Sequence, residues 1–376
     1  MSLVLHCHTL SSKLRSAASA ARFQSSTNNP SEAERIRALV DCARYPLDDA
    51  GSPGYAAVVH EARVSLASSG CASFPGFLAP AALHAAAAEA RAKAPASFAT
   101  DAMHNAYQLP GVDLALPVDH IRNVRMRTRV ASTAFDELDP RGALRSLYSS
   151  DELLRFVRDV LGKELSVNKS KALGGSGGGV VGGGVVGGGA APLYRLVDPL
   201  GACTVNVFRP GWSHAWHFDE AEATTTLCLQ QAEAGGVFEF TPPLRETAGD
   251  LAAAAVAAVV NAHSDYAVTC SGGGGCNGNA YSSAVPPSSP RGASRAKSGG
   301  APAAEPAPEA VPVLTAPFTP GTLQVFAGRY SLHRVTDVAP SATRDRLVAV
   351  LCFASEPRLR NSPEVQEMFW GRRSAD

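Results

Sequence analysis

Thr204-Val-Asn-Val-Phe208, Trp216-His217-Phe218-Asp219, Thr224-Thr-Thr-Leu-Cys-Leu229 and Val237-Phe-Glu-Phe240 follow one another with only short joins between them. β-branched and aromatic residues dominate these runs, and apolar side chains recur at every second position, which is the period of a strand and not of a helix. Thr322-Leu-Gln-Val-Phe326 and Leu347-Val-Ala-Val-Leu-Cys-Phe353 continue the pattern, and Arg209-Pro-Gly211 and Thr319-Pro-Gly321 supply turns. Many short strands punctuated in this way predict a sandwich or jelly roll for the second half of the chain.

Upstream the period is different. Residues 36–173 read as mainly helical, with Ala81–Ala94 and Ser149–Leu161 the clearest stretches. Ser149-Ser150-Asp151-Glu152 has the form of a capping box, and Leu153, Leu154, Phe156, Val157, Val160 and Leu161 fall on one stripe before Gly162, which is expected to end the helix. Residues 174–192 form a Gly-rich insert, with 11 glycines in the 16 positions of 174–189, too many for a packed element. A first β half is expected over 193–269, a disordered Ser/Gly/Pro/Ala tract over 270–312 and a second β half over 313–376.

Residues 1–35 are a leader. Its first 31 residues carry Lys13, Arg15, Arg22 and ten Ser or Thr with no acidic residue, the composition of an organellar transit segment for mitochondrion or plastid. A plain disordered tail is the other reading, and the address is then cytoplasmic.

Lys+Arg 34 against Asp+Glu 34 leaves no net charge, so nothing points to nucleic acid or an anionic membrane as partner, and no protein partner is inferred. The longest strongly apolar run, Leu251–Val260, has 10 residues, about half of what a spanning helix needs. The eight cysteines contain no CxxC pair and read as free thiols; Cys270 and Cys276 alone are close enough in sequence for a local disulfide.

Trp216-His217-Phe218-Asp219 is expected to close a strand, which puts His217 and Asp219 on one face. His333, after the strand that ends at Phe326, offers a third ligand. Two histidines and one carboxylate form the facial set that holds non-haem Fe(II) and leaves three positions open. Arg346 opens the strand Leu347–Phe353, where a guanidinium could fork onto a carboxylate, with Arg344 as the neighbouring choice. His6, His8, His60, His84, His104, His120 and His263 show no ligand spacing and read as structural or exposed.

The ordered run His-x-Asp, Thr-Thr-Leu-x-Leu-Gln, Gly235-Gly236-x-Phe-Glu-Phe-x-Pro242, Pro-Gly-x-Leu, distal His and Arg resembles the Fe(II)/2-oxoglutarate-dependent oxygenases. Within them it is most similar to the hydroxylases and radical halogenases of free amino acids. The resemblance implies an α+β fold: a double-stranded β-helix core, jelly roll or cupin-like, with N-terminal helices packed on it. It also implies His217, Asp219 and His333 as iron ligands and Arg346 or Arg344 as the clamp on 2-oxoglutarate. His214 and Glu220 match positions near the bound substrate. Fe(II), 2-oxoglutarate and O2 are then required, with ascorbate as a supporting reductant. A small residue replaces the carboxylate in the halogenating members; Asp219 keeps it, so hydroxylation of a small molecule is expected. Two other classes fit the same residues: a jelly roll that binds a metal or small molecule without turnover, and a metal-assisted hydrolase.

Overall fold

The computed structural model describes residues 30–109, 111–172, 192–247, 249–263 and 310–375, with side chains described as far as 162 in the second stretch. Residues 1–29 of the expected leader, nearly all of the two expected inserts, and Cys270 and Cys276 lie outside the described residues. In chain order the first elements are α1 (Glu32–Leu39), α2 (Pro53–Ser69), β1 (Cys71–Phe74), α3 (Pro80–Lys93), β2 (Phe98–His104), β3 (Met126–Thr133), α4 (Ala143–Ser149) and α5 (Asp151–Ala172). There follow β4 (Tyr194–Arg195), β5 (Cys203–Phe208), β6 (His214–His217), β7 (Ala223–Gln230), β8 (Phe238–Pro243) and α6 (Ala253–His263). The last are β9 (Leu314–Thr315), β10 (Leu323–Phe326), β11 (Ser331–Val335), β12 (Arg346–Ala354) and α7 (Pro363–Trp370).

Helices and antiparallel strands thus make an α+β molecule. One sheet of eight strands runs β1-β10-β7-β12-β5-β3-β2, with β4 added on β12, and a second runs β6-β11-β8-β9. β12 lies in the middle of the larger sheet because both of its faces are apolar. Leu347, Ala349, Leu351 and Phe353 face a core that also contains Phe74, Phe77 and Phe156 under the helices, with the Phe74 and Phe156 rings 5.0 Å apart. On the other face Phe208 and Phe326 join Phe238, Phe240 and Val335 of the smaller sheet, and the Phe238 and Phe326 rings lie 5.1 Å apart. The two sheets therefore enclose a shared interior. α6 covers the outside of the smaller sheet, packing Val256, Val259 and Val260 on Trp216 and Leu332.

Several expectations are corrected. The region read as mainly helical contains β1, β2 and β3, and β2 and β3 extend the larger sheet. In β3, Met126, Thr128 and Val130 are buried while Arg127 is exposed, a period of two that pairs residue for residue with β2, and Arg127 grips Asp101 across the pair at 2.6 and 2.7 Å. α5 is capped by Ser150, whose Oγ accepts from the Leu153 N–H at 3.3 Å, because Ser149 is used to finish α4. Gly162 does not end α5, which continues to Ala172. One glycine costs a helix about 1 kcal/mol relative to alanine, less than the buried stripe ahead of it contributes. The folded chain also starts before residue 36: Ser31 accepts from Glu34 N–H at 3.2 Å and Glu34 returns the contact at 2.7 Å, a capping box that launches α1. Among the described residues no helix is long and apolar enough to cross a membrane, and Cys42, Cys71, Cys203, Cys228 and Cys352 are free.

Candidate metal centre

β6 and β11 pair antiparallel with His217 directly opposite His333. Each imidazole donates from Nδ1 to a carbonyl two residues back on its own strand, His217 to Ala215 at 2.8 Å and His333 to Ser331 at 2.9 Å. A carbonyl only accepts, so Nδ1 of each ring carries a proton and Nε2 is the nitrogen left to face the site. Both Nε2 atoms face Asp219, whose Oδ1 is 3.5 Å from His217 Nε2 and 3.3 Å from His333 Nε2.

Asp219 is not on the strand itself, which ends at His217. The chain stays extended because Phe218 N–H donates to Ala106 at 2.9 Å and Asp219 N–H donates to Gly328 at 3.0 Å. That contact puts Asp219 on the side of His217 after all. Thr224 Oγ1 donates to Asp219 Oδ2 at 2.5 Å, which turns Oδ1 toward the imidazoles. Gly328 is required here, since a Cβ at that position would overlap the Asp219 carboxylate and the Thr224 hydroxyl.

Burial lowers the pKa of His217, and neighbouring His333 adds to the effect against the opposing pull of Asp219. For Asp219 burial acts upward, but the imidazole of His333 and its hydrogen bonds with both rings outweigh it and hold the carboxyl well below the usual range. One carboxylate and two Nε2 atoms, all within 4.8 Å of one another, are thus presented as ligands. This donor set suits a divalent transition metal on one triangular face.

Two further histidines back the centre. His214 stacks on His217 with ring centroids 3.7 Å apart, and its buried Nε2 has no partner among the described residues. His104 stands edge-on to both at 6.0 and 6.5 Å. It donates from Nδ1 to Asn105 at 2.8 Å and accepts at Nε2 from Thr128 at 2.6 Å. Burial pushes His104 down to about 4 and takes His214 well below the ordinary range, so the backing is a wall of neutral imidazoles. Sequence spacing missed His104 because it belongs to β2, more than a hundred residues from His217; the strand period of β2 was the available signal.

Glu220 accepts from the Ser362 N–H at 2.7 Å, tying the loop after Asp219 to the start of α7. His214, Asp219 and Glu220 line an inner cavity of about 90 Å³ together with Asn206 and Phe369. On the other side, Asp219 and Glu220 border a cavity of about 530 Å³ lined by Tyr107, Phe218, Arg245 and Arg329. That volume is typical of small-molecule sites.

Arg346 is 4% exposed at the start of β12, with its guanidinium over Phe208 at 5.2 Å and Phe318 at 5.5 Å. No carboxylate among the described residues pairs with it. Burial lowers its pKa to about 10, so it remains a cation at neutral pH. Gly236, at φ +62°, leaves the room it needs, because a Cβ there would sit 2.8 Å from Arg346 Cδ. Arg344 is corrected: β12 begins only at Arg346, so Arg344 lies in the preceding turn, 58% exposed, and pairs with Glu233 at 3.0 Å outside the site.

No family model matches the chain, and no curated protein matches it. Among solved structures it is similar to the non-heme alpha ketoglutarate dependent epimerase SnoN from nogalamycin biosynthesis, at 13% identity and a TM-score of 0.43 over 80% of this chain and 84% of that one. AviO1 from Streptomyces viridochromogenes Tue57 matches at 13% identity and a TM-score of 0.41 over 81% of this chain and 97% of that one. HygX from Streptomyces hygroscopicus, with nickel, 2-oxoglutarate and hygromycin B bound, matches at 11% identity and 0.39 over 78% and 86%.

Proposed function

We propose that the chain is an Fe(II)- and 2-oxoglutarate-dependent dioxygenase that hydroxylates a small molecule, such as a free amino acid, within a double-stranded β-helix formed by the two sheets. Arg346 is the observation that carries this reading. A buried guanidinium without a carboxylate is costly unless an anion completes it. A metal-assisted hydrolase or a metal-binding jelly roll without turnover has no use for it. A dicarboxylate that reaches the metal with one end and the arginine with the other does.

With iron bound, the centre supplies the oxidising power that puts oxygen into a C–H bond as 2-oxoglutarate loses CO2. The protein's own groups do the rest. His217, His333 and Asp219 would hold the metal through one face and leave its other side open to the co-substrate. The Nδ1 hydrogen bonds and the Thr224 contact keep those donors aimed before any ligand arrives. Arg346 forks onto the far carboxylate of 2-oxoglutarate, and Phe238 and Phe326, whose rings lie 5.8 and 5.0 Å from that of His333, keep water from that side of the centre. Substrate enters by the cavity of about 530 Å³ that reaches Asp219.

The test is a mass-spectrometric screen of amino acids and small metabolites with the iron-loaded protein, 2-oxoglutarate and oxygen. A product gaining one oxygen atom, formed only with both iron and 2-oxoglutarate, is expected; turnover that proceeds with zinc and without oxygen contradicts the assignment.

A further inference from the structure

Gln324 on β10 is fully buried, and neither Oε1 nor Nε2 of its amide has a hydrogen-bond partner among the described residues. Its register partner on β7 is Thr226, and the Thr226 hydroxyl is also buried and unpartnered. Native interiors seldom leave such groups unsatisfied, so two side by side call for an explanation.

Both side chains face the interior between the sheets. In β10, Leu323 and Val325 belong to the core beneath the helices, whereas Phe326 packs edge-on against His333 at 5.0 Å. Strand alternation puts Gln324 on the side of Phe326. In β7, Thr224 reaches Asp219, so Thr226 and then Cys228 share that face. Cys228 pairs with Val348, two residues from Arg346, and the Arg346 charge acts on the Cys228 thiol. One line of side chains therefore runs from the metal triad at Thr224, past Thr226 and Gln324, to Cys228 and Arg346. At ~3.3 Å per residue the line from Thr224 to Cys228 is ~13 Å long. Its two ends are a set of metal ligands and a cation; its middle holds an amide and a hydroxyl with unspent donors.

We infer that Gln324 and Thr226 bind the co-substrate along its length, with Gln324 Nε2 and Thr226 Oγ1 donating to the 2-oxo acid end of a dicarboxylate whose other end is held by Arg346. The inference rests on the 2-oxoglutarate reading above and extends it to two residues to which the sequence motifs assign no role. A role inside the fold and a role toward the ligand give opposite signatures. If the amide serves only the ligand, exchanging it for an apolar group of the same length removes an unsatisfied buried group and leaves the free protein as stable or more so.

The experiment is calorimetric titration of 2-oxoglutarate into the full-length protein loaded with Ni(II), which permits binding without turnover, alongside thermal melts of the ligand-free proteins. Gln324→Met is expected to weaken 2-oxoglutarate ~10- to 100-fold, the range of a lost hydrogen bond to a charged group, and Thr226→Val by ~10-fold. Neither variant should lower the melting temperature. Dissociation constants within twofold of wild type for both variants, while Arg346→Ala loses binding, overturn this inference and leave the dioxygenase reading standing. A Gln324→Met protein that melts early or does not fold assigns Gln324 to the fold, and Thr226→Val then decides the remaining residue. A wild-type protein that binds no 2-oxoglutarate overturns both.

Discussion

His217 and His333 are register partners across the β6–β11 pair, their ring centroids 4.1 Å apart, and each is pinned through Nδ1 to the carbonyl two residues before it. The same local device is used twice, once on each strand, so each ring is oriented locally and the strand pairing brings the two Nε2 atoms together. Replacing either histidine by alanine removes a donor without opening the sheet, since the backbone pairing does not depend on the ring. His217→Ala, His333→Ala and Asp219→Ala are each expected to lose more than about 100-fold in Fe(II) or Ni(II) affinity, beyond the effect of removing an outer-shell contact, with circular dichroism unchanged. Equilibrium dialysis against the metal checks this, and retained affinity in any one of the three removes that residue from the ligand set.

Asp219 depends on its neighbours for its direction. Thr224→Val deletes the 2.5 Å hydrogen bond to Oδ2 while preserving shape, and is expected to weaken metal binding ~10- to 100-fold. Gly328→Ala should do at least as much, because its methyl group would displace the carboxylate and the hydroxyl together. Equal metal affinity in the glycine variant, measured by the same dialysis, would show that Asp219 has a second orientation in which it still binds.

His104 gives the metal-free protein a pH dependence of known sign. Its ring titrates at about 4 in the fold against an ordinary 6.5, burial being the main cause. Between those values the unfolded chain holds a proton that the native protein lacks, so stability is fully present above 6.5, falls as the pH drops toward 4, and this contribution is then spent. The shift corresponds to ~3 kcal/mol. His104→Gln retains a donor for Asn105 and an acceptor for Thr128, and should flatten the stability profile between pH 4 and 6.5 without abolishing it, as His214 titrates in the same direction. Denaturant melts across that range measure the slope; identical slopes in the two proteins would mean that His104 is not neutral in the fold.

For Arg346→Ala the expected loss is ~2–4 kcal/mol in 2-oxoglutarate binding, the cost of removing a charge-assisted fork from a dry site. Lysine should rescue it only in part, since a point charge does not reproduce the fork. Arg344→Ala is the control, because its guanidinium is engaged with Glu233 at the surface. Calorimetry on the three variants separates them.

The strands carrying this site were legible because alternation is local: β5, β7, β10 and β12 each lie within a residue or so of the runs read from sequence. His217, His333 and Arg346 were legible for a related reason, in that each is placed by its own strand, whereas Asp219, two residues after His217, is held by contacts with Gly328 and Thr224. What escaped depends on pairing between distant segments. β2 and β3 sit among helices, and their period of two stands out only when Met126–Thr133 is laid against Phe98–His104. His104 enters the wall behind the metal centre through that pairing alone. Arg344 and Arg346 are two residues apart, and strand alternation over both would have given them one face. The strand starts between them, and Glu233, remote in sequence, takes the first. Gln324 could not be singled out at all, because an amide's lack of partners is a property of its surroundings and not of its spacing.

The central claim is that the triad and Arg346 serve one reaction, and release of CO2 from 2-oxoglutarate by the iron-loaded protein tests it most directly. Decarboxylation dependent on both Fe(II) and oxygen is predicted for the wild type, with none from Asp219→Ala and a strongly raised 2-oxoglutarate requirement in Arg346→Ala. No CO2 from the wild-type protein, or equal release from Asp219→Ala, would contradict the account.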